Sequence, residues 1–262
     1  MSYIEPALFI FGLIVGSFLN VCIHRIPRGK SIVSPSSACP ACNTPIKPWD
    51  NIPVLSYIIL RGKCRKCGEG ISIHYPTVEL LNAALYWSVL NSFGIGWHLP
   101  VVLAFASAMV VITFIDLDFQ VIPDVITLPG IIIGLISASF LLPDPFSLQT
   151  SALSLSIVGF KNSVTGLLLG GGLFYLIAVL SRGGMGGGDI KMMAMVGAFM
   201  GWKAVFLTTF IGSLTGSIVG ISLMVFKGKG RKTKIPFGPF LALGSLITLF
   251  FGGEIIRWYF TF

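Results

Sequence analysis

Apolar residues run through the chain in eight blocks, at about 4–23, 77–97, 100–116, 124–142, 163–181, 189–201, 204–226 and 236–256, with most of the charged residues in the gaps. A membrane-crossing helix needs roughly 20 such residues, so the pattern predicts an all-α polytopic membrane protein of about eight transmembrane helices. The sixth block is short for a crossing. The first lacks a small-residue cleavage site and continues into a motif of its own, so it is expected to remain as a permanent helix. One polar gap is sizeable, from about Pro27 to Pro76, and predicts a small water-exposed module between helices 1 and 2. The expected parts are a first helix over 1–26, the module over 27–76 and a membrane domain over 77–262.

Basic residues set the expected orientation, because Lys and Arg accumulate on the cytoplasmic side. Arg25, Arg28, Lys30, Lys47, Arg61, Lys63, Arg65 and Lys66 follow helix 1, and Lys227, Lys229, Arg231, Lys232 and Lys234 follow helix 7. With Arg182 and Lys191, an outside N-terminus puts fifteen of the eighteen basic residues inside; Lys161, Lys203 and Arg257 fall outside. Reading the sixth block as a re-entrant loop would turn the run at 227–234 outward, so it is counted as a short crossing. Composition agrees with the hydropathy pattern: 54% of residues are hydrophobic, 11% are charged, and mean hydropathy is +0.89. The net charge of +8 follows from this topology and from attraction to anionic membrane lipid, so no nucleic-acid partner is needed to explain it.

The module holds four of the five cysteines as two CxxC pairs, Cys39 with Cys42 and Cys64 with Cys67. Two such knuckles suit a tetrahedral Zn²⁺ that ties together a module too small to stand on its own core. Two disulfides or a redox pair are the competing readings, and a cytosolic position, which keeps thiols reduced, argues against both. Cys22 reads as a small buried residue of helix 1. Gly16, Ser17 and Asn20 share one face of that helix, as expected if the face packs on a neighbour. Between the knuckles, PWDNIPVLSYIIL (Pro48 to Leu60) reads as a surface lying on the membrane. Glu79 is expected in the first turn of helix 2, where the helix dipole favours an acid or where it marks a site facing the module.

The candidate chemistry lies in two acidic stretches. RGGMGGGDIK (Arg182 to Lys191) presents Asp189 after five glycines, and Gly186, Gly187 and Gly188 leave the acid unshielded by any bulky side chain. FIDLDFQVIPDVITLP (Phe114 to Pro129) places Asp116, Asp118 and Asp124 where helix 3 ends and helix 4 begins. Counting crossings puts the end of helix 3 and the start of helix 6 on one side, so Asp116 and Asp189 can face each other. Ionisable groups at such positions are costly and tend to be functional. Two close carboxyls in a partly dry site share one proton, the arrangement that splits a peptide: one activates water while the other protonates the carbonyl oxygen. Asp118 and Asp124 are expected to support the pair, with Asp124 as a helix cap after Pro123. Pro236 and Pro239 of KIPFGPF are expected to shape an opening beside the acids.

These residues resemble the type IV prepilin peptidases, the bacterial leader peptidase/N-methyltransferase family, over nearly the whole chain. The resemblance is carried by GSFLNVCIHRIP, the paired CxxC knuckles, NIPVLSYIILRGKCRKCG, HYPTVELL, DLDFQVIPDVITLP, GMGGGDIK and IPFGPF, in that order. It implies that Asp116 and Asp189 are the catalytic aspartates, with Gly186, Gly188 and Lys191 beside them. It further implies removal of a basic leader from prepilins or pseudopilins at the cytoplasmic face of the inner membrane. Methylation of the new N-terminal amine from S-adenosylmethionine would follow, with Gly62, Lys63 and Glu79 marking where that methyl donor binds. The rival readings are a peptidase without methylation, a presenilin-type protease, a structural assembly protein and a proton- or metal-coupled transporter. The last would keep its acids near mid-membrane.

Overall fold

The computed structural model describes residues 3–147, 156–181, 184–227 and 235–261. Arg182 and Gly183 of the glycine-rich stretch, and Lys229, Arg231, Lys232 and Lys234 of the second basic loop, lie outside the described residues. Eight α-helices are found among them: α1 (Ile4–Arg25), α2 (Leu55–Ile59), α3 (His74–Phe93), α4 (Leu99–Phe119), α5 (Asp124–Ala138), α6 (Phe160–Leu180), α7 (Gly187–Lys227) and α8 (Gly238–Phe260). β-Structure among the described residues is limited to three isolated bridges. Five of the helices, α1, α4, α6, α7 and α8, are long and apolar enough to cross a membrane; α5 is apolar but shorter.

The sixth and seventh apolar blocks are two helices that meet without an intervening loop. α7 carries both, broken at Gly201, whose φ of 80° and ψ of −179° no helix contains. A residue with a Cβ takes that conformation only under strain, so a single glycine does the work of a loop. α3 begins a turn earlier than hydropathy suggests, because Pro76 is tolerated among the first helical residues, whose N–H groups have no partner within the helix. Glu79 is therefore beyond the first turn, and the dipole reading of that acid does not hold.

The chain divides into two compact units: Met1–Gly94 with Ala106–Val111, and Ile95–Phe105 with Ile112–Phe262. In the first, α1 lies backbone-close on α3: a Cβ at Gly12 would stand 2.7 Å from Ala83 Cα, and one at Gly16 would stand 2.7 Å from Glu79 Cα. Asn82 Nδ2 donates to Gly12 O (2.8 Å) and Asn20 Nδ2 to Tyr75 O (3.1 Å). Asn82 also accepts from Ser107, which is bonded to Tyr86. These bonds satisfy polar groups that water cannot reach.

The second unit is built on α6 and α7. Gly166 meets Gly197 and Gly170 meets Met193 backbone to backbone, with Met192, Met193, Met195 and Val196 fully buried beside them. Small residues permit such approaches where lipid offers no hydrophobic drive to helix association. Gly166→Ala gains helix propensity of at most about 1 kcal/mol, whereas overlap with a backbone that cannot swing aside costs about 1–3 kcal/mol. It is expected to lower the thermal midpoint in detergent. Gly172→Ala, with open space at its Cβ, is expected to leave it unchanged or raise it.

Candidate active site and metal centre

Asp116 lies in the last turn of α4 and is 6% exposed. Its Oδ2 accepts the backbone N–H of Gly238 at 2.9 Å, at the start of α8. Gly238 has to be glycine for this: a Cβ there would stand 2.6 Å from the same carboxyl oxygen. Ile122 is the wedge of the site. Its side chain touches Gly238 on one side and Gly188 on the other, where a Cβ would approach Ile122 Cβ to 2.7 Å. Asp189 follows in the first turn of α7, its N–H bonded to Gly186 O at 3.2 Å, and its carboxyl is within electrostatic reach of Asp116. Asp116 and Asp189 thus both lie at helix ends, and the glycines beside them, Gly238 and Gly188, meet the same Ile122 side chain.

The other acids separate from the pair. Asp118, two residues beyond Asp116 and so on another face of α4, is exposed. Asp124 is the first residue of α5, with Pro123 as its cap, so the capping expectation is not met. Its carboxyl is instead bonded to Lys191 Nζ through both oxygens, at 2.7 and 2.6 Å. That ion pair ties the start of α5 to the first turns of α7 and keeps Lys191 off the acid pair. Both side chains are well exposed, so its contribution to stability is small.

In the first unit the four cysteine sulfurs lie within 4.8 Å of one another, and no disulfide joins them. The two knuckles share one backbone plan. The N–H of Cys39 donates to Thr44 O and that of Cys64 to Glu69 O; the N–H of Asn43 returns to Cys39 O and that of Gly68 to Cys64 O. The bridges Ala38 to Pro45 and Lys63 to Gly70 close the two loops in the same way. Four sulfurs bound at about 2.3 Å around a tetrahedral ion stand about 3.8 Å apart, and Cys39 Sγ and Cys67 Sγ are 3.8 Å apart. The Thr44 hydroxyl draws the Cys42 thiol down to about 6, and the backbone N–H groups of Cys67 and Lys66 lower Cys64. The donor set and its spacing fit a metal ion. Arg65, bidentate on Asp50, ties the second knuckle to the short segment carrying Trp49, and holds the Asp50 carboxyl below its ordinary range.

Glu79 is buried in the same unit and accepts the N–H of Val54 at 2.7 Å. Val54 has φ +60°, a costly conformation for a β-branched side chain, and the bond from Glu79 holds it there. Val54 is the cap residue just before α2, and Gly62, at φ +66° just past its end, lies against the Tyr57 ring. Lys63 follows, exposed, in the second knuckle. Glu79 and the Gly62–Lys63 turn therefore bracket α2 rather than touching directly. Sequence reasoning missed Gly238, Ile122 and Val54 as parts of these sites. A glycine between prolines at the head of an apolar run was the available signal for Gly238; Val54 offered none.

Together these features define a polytopic helical membrane protein with a paired-acid site in one unit and a thiol metal module in the other. Residues 10–93 match the Bacterial Peptidase A24 N-terminal domain and residues 103–221 the Type IV leader peptidase family. The prepilin leader peptidase/N-methyltransferase of Pseudomonas aeruginosa is 36% identical over 97% of this chain and 92% of its own length. That of Legionella pneumophila is 36% identical over 95% and 92%, and that of Myxococcus xanthus 39% identical over 87% and 65%. The chain belongs to this family. No solved structure matches it.

Purified protein is expected to carry one metal ion per chain by elemental analysis. Cys39→Ser or Cys64→Ser should lose it and expose the module to protease, while Cys22→Ser, in α1, should retain it.

Proposed function

We propose that this chain removes the basic leader of type IV prepilins or pseudopilins at the cytoplasmic face of the inner membrane and then methylates the new N-terminal amine. The observation that carries the reading is the match to these peptidases along nearly the full chain, supported by Gly238, which is bonded to Asp116, and Gly188, which precedes Asp189, lying against the same Ile122. The relatives' names cover both activities, cleavage and N-methylation.

Asp116 and Asp189 act as the catalytic pair. Gly238 occupies Oδ2 of Asp116, which leaves Oδ1 for water or for the second carboxyl. The ionised member takes a proton from water as the oxygen attacks the scissile carbonyl, and the protonated member donates to the carbonyl oxygen. When the tetrahedral intermediate collapses, the C–N bond breaks and the leaving amine takes up a proton from the pair. Gly186 and Gly188 leave room for the substrate backbone beside Asp189, and the Asp124–Lys191 ion pair supports the loop they belong to. Asp118 serves the cytoplasmic rim.

The module over 27–76 holds a structural Zn²⁺ on Cys39, Cys42, Cys64 and Cys67. It also carries the methyl-donor site near Gly62, Lys63 and Glu79, with S-adenosylmethionine as donor. The N-terminus lies outside, so the basic loops and both sites face the cytoplasm, where a basic leader stays. The apolar stretch about α2, with Trp49, Ile58 and Ile59 exposed, lies against membrane lipid.

The test uses the purified protein in lipid with a leader-bearing prepilin, read by product mass. Wild type should shorten the substrate, and S-adenosylmethionine should add one methyl group to the product. Asp116→Asn and Asp189→Asn should each slow cleavage by at least about 10²–10⁴-fold, while Glu79→Gln should slow methylation more than cleavage. Cleavage by both Asp variants at the wild-type rate would refute the pair.

A further inference from the structure

The chain enters α2 through an uncommon conformation. Val54 has φ 60° and ψ −48°, and across it the N–H of Leu55 donates to Pro53 O at 2.6 Å. This is a γ-turn of positive φ, the rare and strained kind. A β-branched side chain adds to the strain. Such strain persists only where surrounding contacts impose it, and it gathers at functional sites.

Glu79 imposes it here. One carboxyl oxygen accepts the Val54 N–H at 2.7 Å, and the Ser17 hydroxyl reaches the same carboxyl from α1. Behind it α1 and α3 are in backbone contact, since a Cβ at Gly16 would stand 2.7 Å from Glu79 Cα. The residue is 7% exposed. A carboxyl engaged by α1 and by the cap of α2 is not turned toward a ligand that arrives from water.

Beyond Val54 short contacts carry the restraint along the chain. Ser56 is buried, and its Oγ donates to Ile52 O at 2.7 Å. Gly62 donates its N–H to Tyr57 O at 2.9 Å and accepts the Ile71 N–H at 2.7 Å, and Lys63 bridges to Gly70. Val54, α2 and the Gly62–Lys63 turn thus form one connected piece, fixed to α3 at Glu79 and exposing Lys63 at its far end.

We propose that Glu79 is a positioning residue for methyl transfer and not a contact of the methyl donor. By holding the γ-turn at Val54 it sets α2 and presents the Gly62–Lys63 turn to the donor. The inference rests on the methyl-transfer reading above. Cleavage does not depend on this latch, because Asp116 and Asp189 belong to the other unit.

Glycine has no handedness, so Val54→Gly lets the backbone take the turn without help. The test is a double-mutant cycle on the full-length protein in lipid, with methyl transfer and prepilin cleavage read by product mass. Glu79→Gln alone should slow methyl transfer about tenfold or more, with cleavage and bound metal retained. In the Val54→Gly background the same substitution should slow it about threefold or less. Hydrogen exchange over residues 55–62 should show the same pattern, accelerated by Glu79→Gln where Val54 is present and much less where it is replaced. Equal losses of methyl transfer in the two backgrounds would mean that Glu79 meets the donor itself, and a parallel loss of cleavage or metal would mean general unfolding; either overturns the proposal. Wild type that adds no methyl group would instead refute the methyl-transfer reading, and this inference with it.

Discussion

A single backbone hydrogen bond, from Gly238 to Asp116, sets the geometry of the paired-acid site. It joins the last turn of α4 to the first residue of α8, and it exists because position 238 has no side chain to strike the carboxyl. Ile122 repeats the logic, lying against Gly238 and Gly188 at once and so fixing the loop between α4 and α5 against the head of α7. Both acids sit where helices end, at the depth where backbone groups are not yet spent on helical bonds. The N–H that holds Asp116 is one of the unspent donors at the start of α8.

The first unit meets a different constraint. Its knuckles have too little apolar core to hold themselves, and their order comes from backbone bonds that repeat from one CxxC loop to the other and from the sulfurs they aim at one point. Glu79 extends that order to α2 by holding Val54 in a conformation the chain would otherwise avoid. The unit's two long helices use the complementary device, with glycines of α1 set against the backbone of α3 and Asn20 and Asn82 bonded across the contact.

Hydropathy made the helices legible, because lipid demands long apolar runs and those runs are visible without any knowledge of packing. CxxC spacing made the metal module legible, because four thiols need no distant partner to declare themselves. What the sequence hid was whatever depends on backbone conformation or on contacts far along the chain. Gly201 replaces a loop with one residue, and Asp124 turns from a cap into the partner of Lys191. The strained Val54 has no local signature, since its cause, Glu79, lies in another element.

The central claim, that Asp116 and Asp189 act as one unit with one proton between them, is tested most directly by the pH dependence of kcat/KM for prepilin cleavage in lipid. A protonated acid working beside an ionised one predicts a bell, falling on the acid side as the base is lost and on the alkaline side as the acid is lost. A profile that rises or falls through a single limb across the same range would contradict the account, because it would mean that only one titrating group governs the reaction.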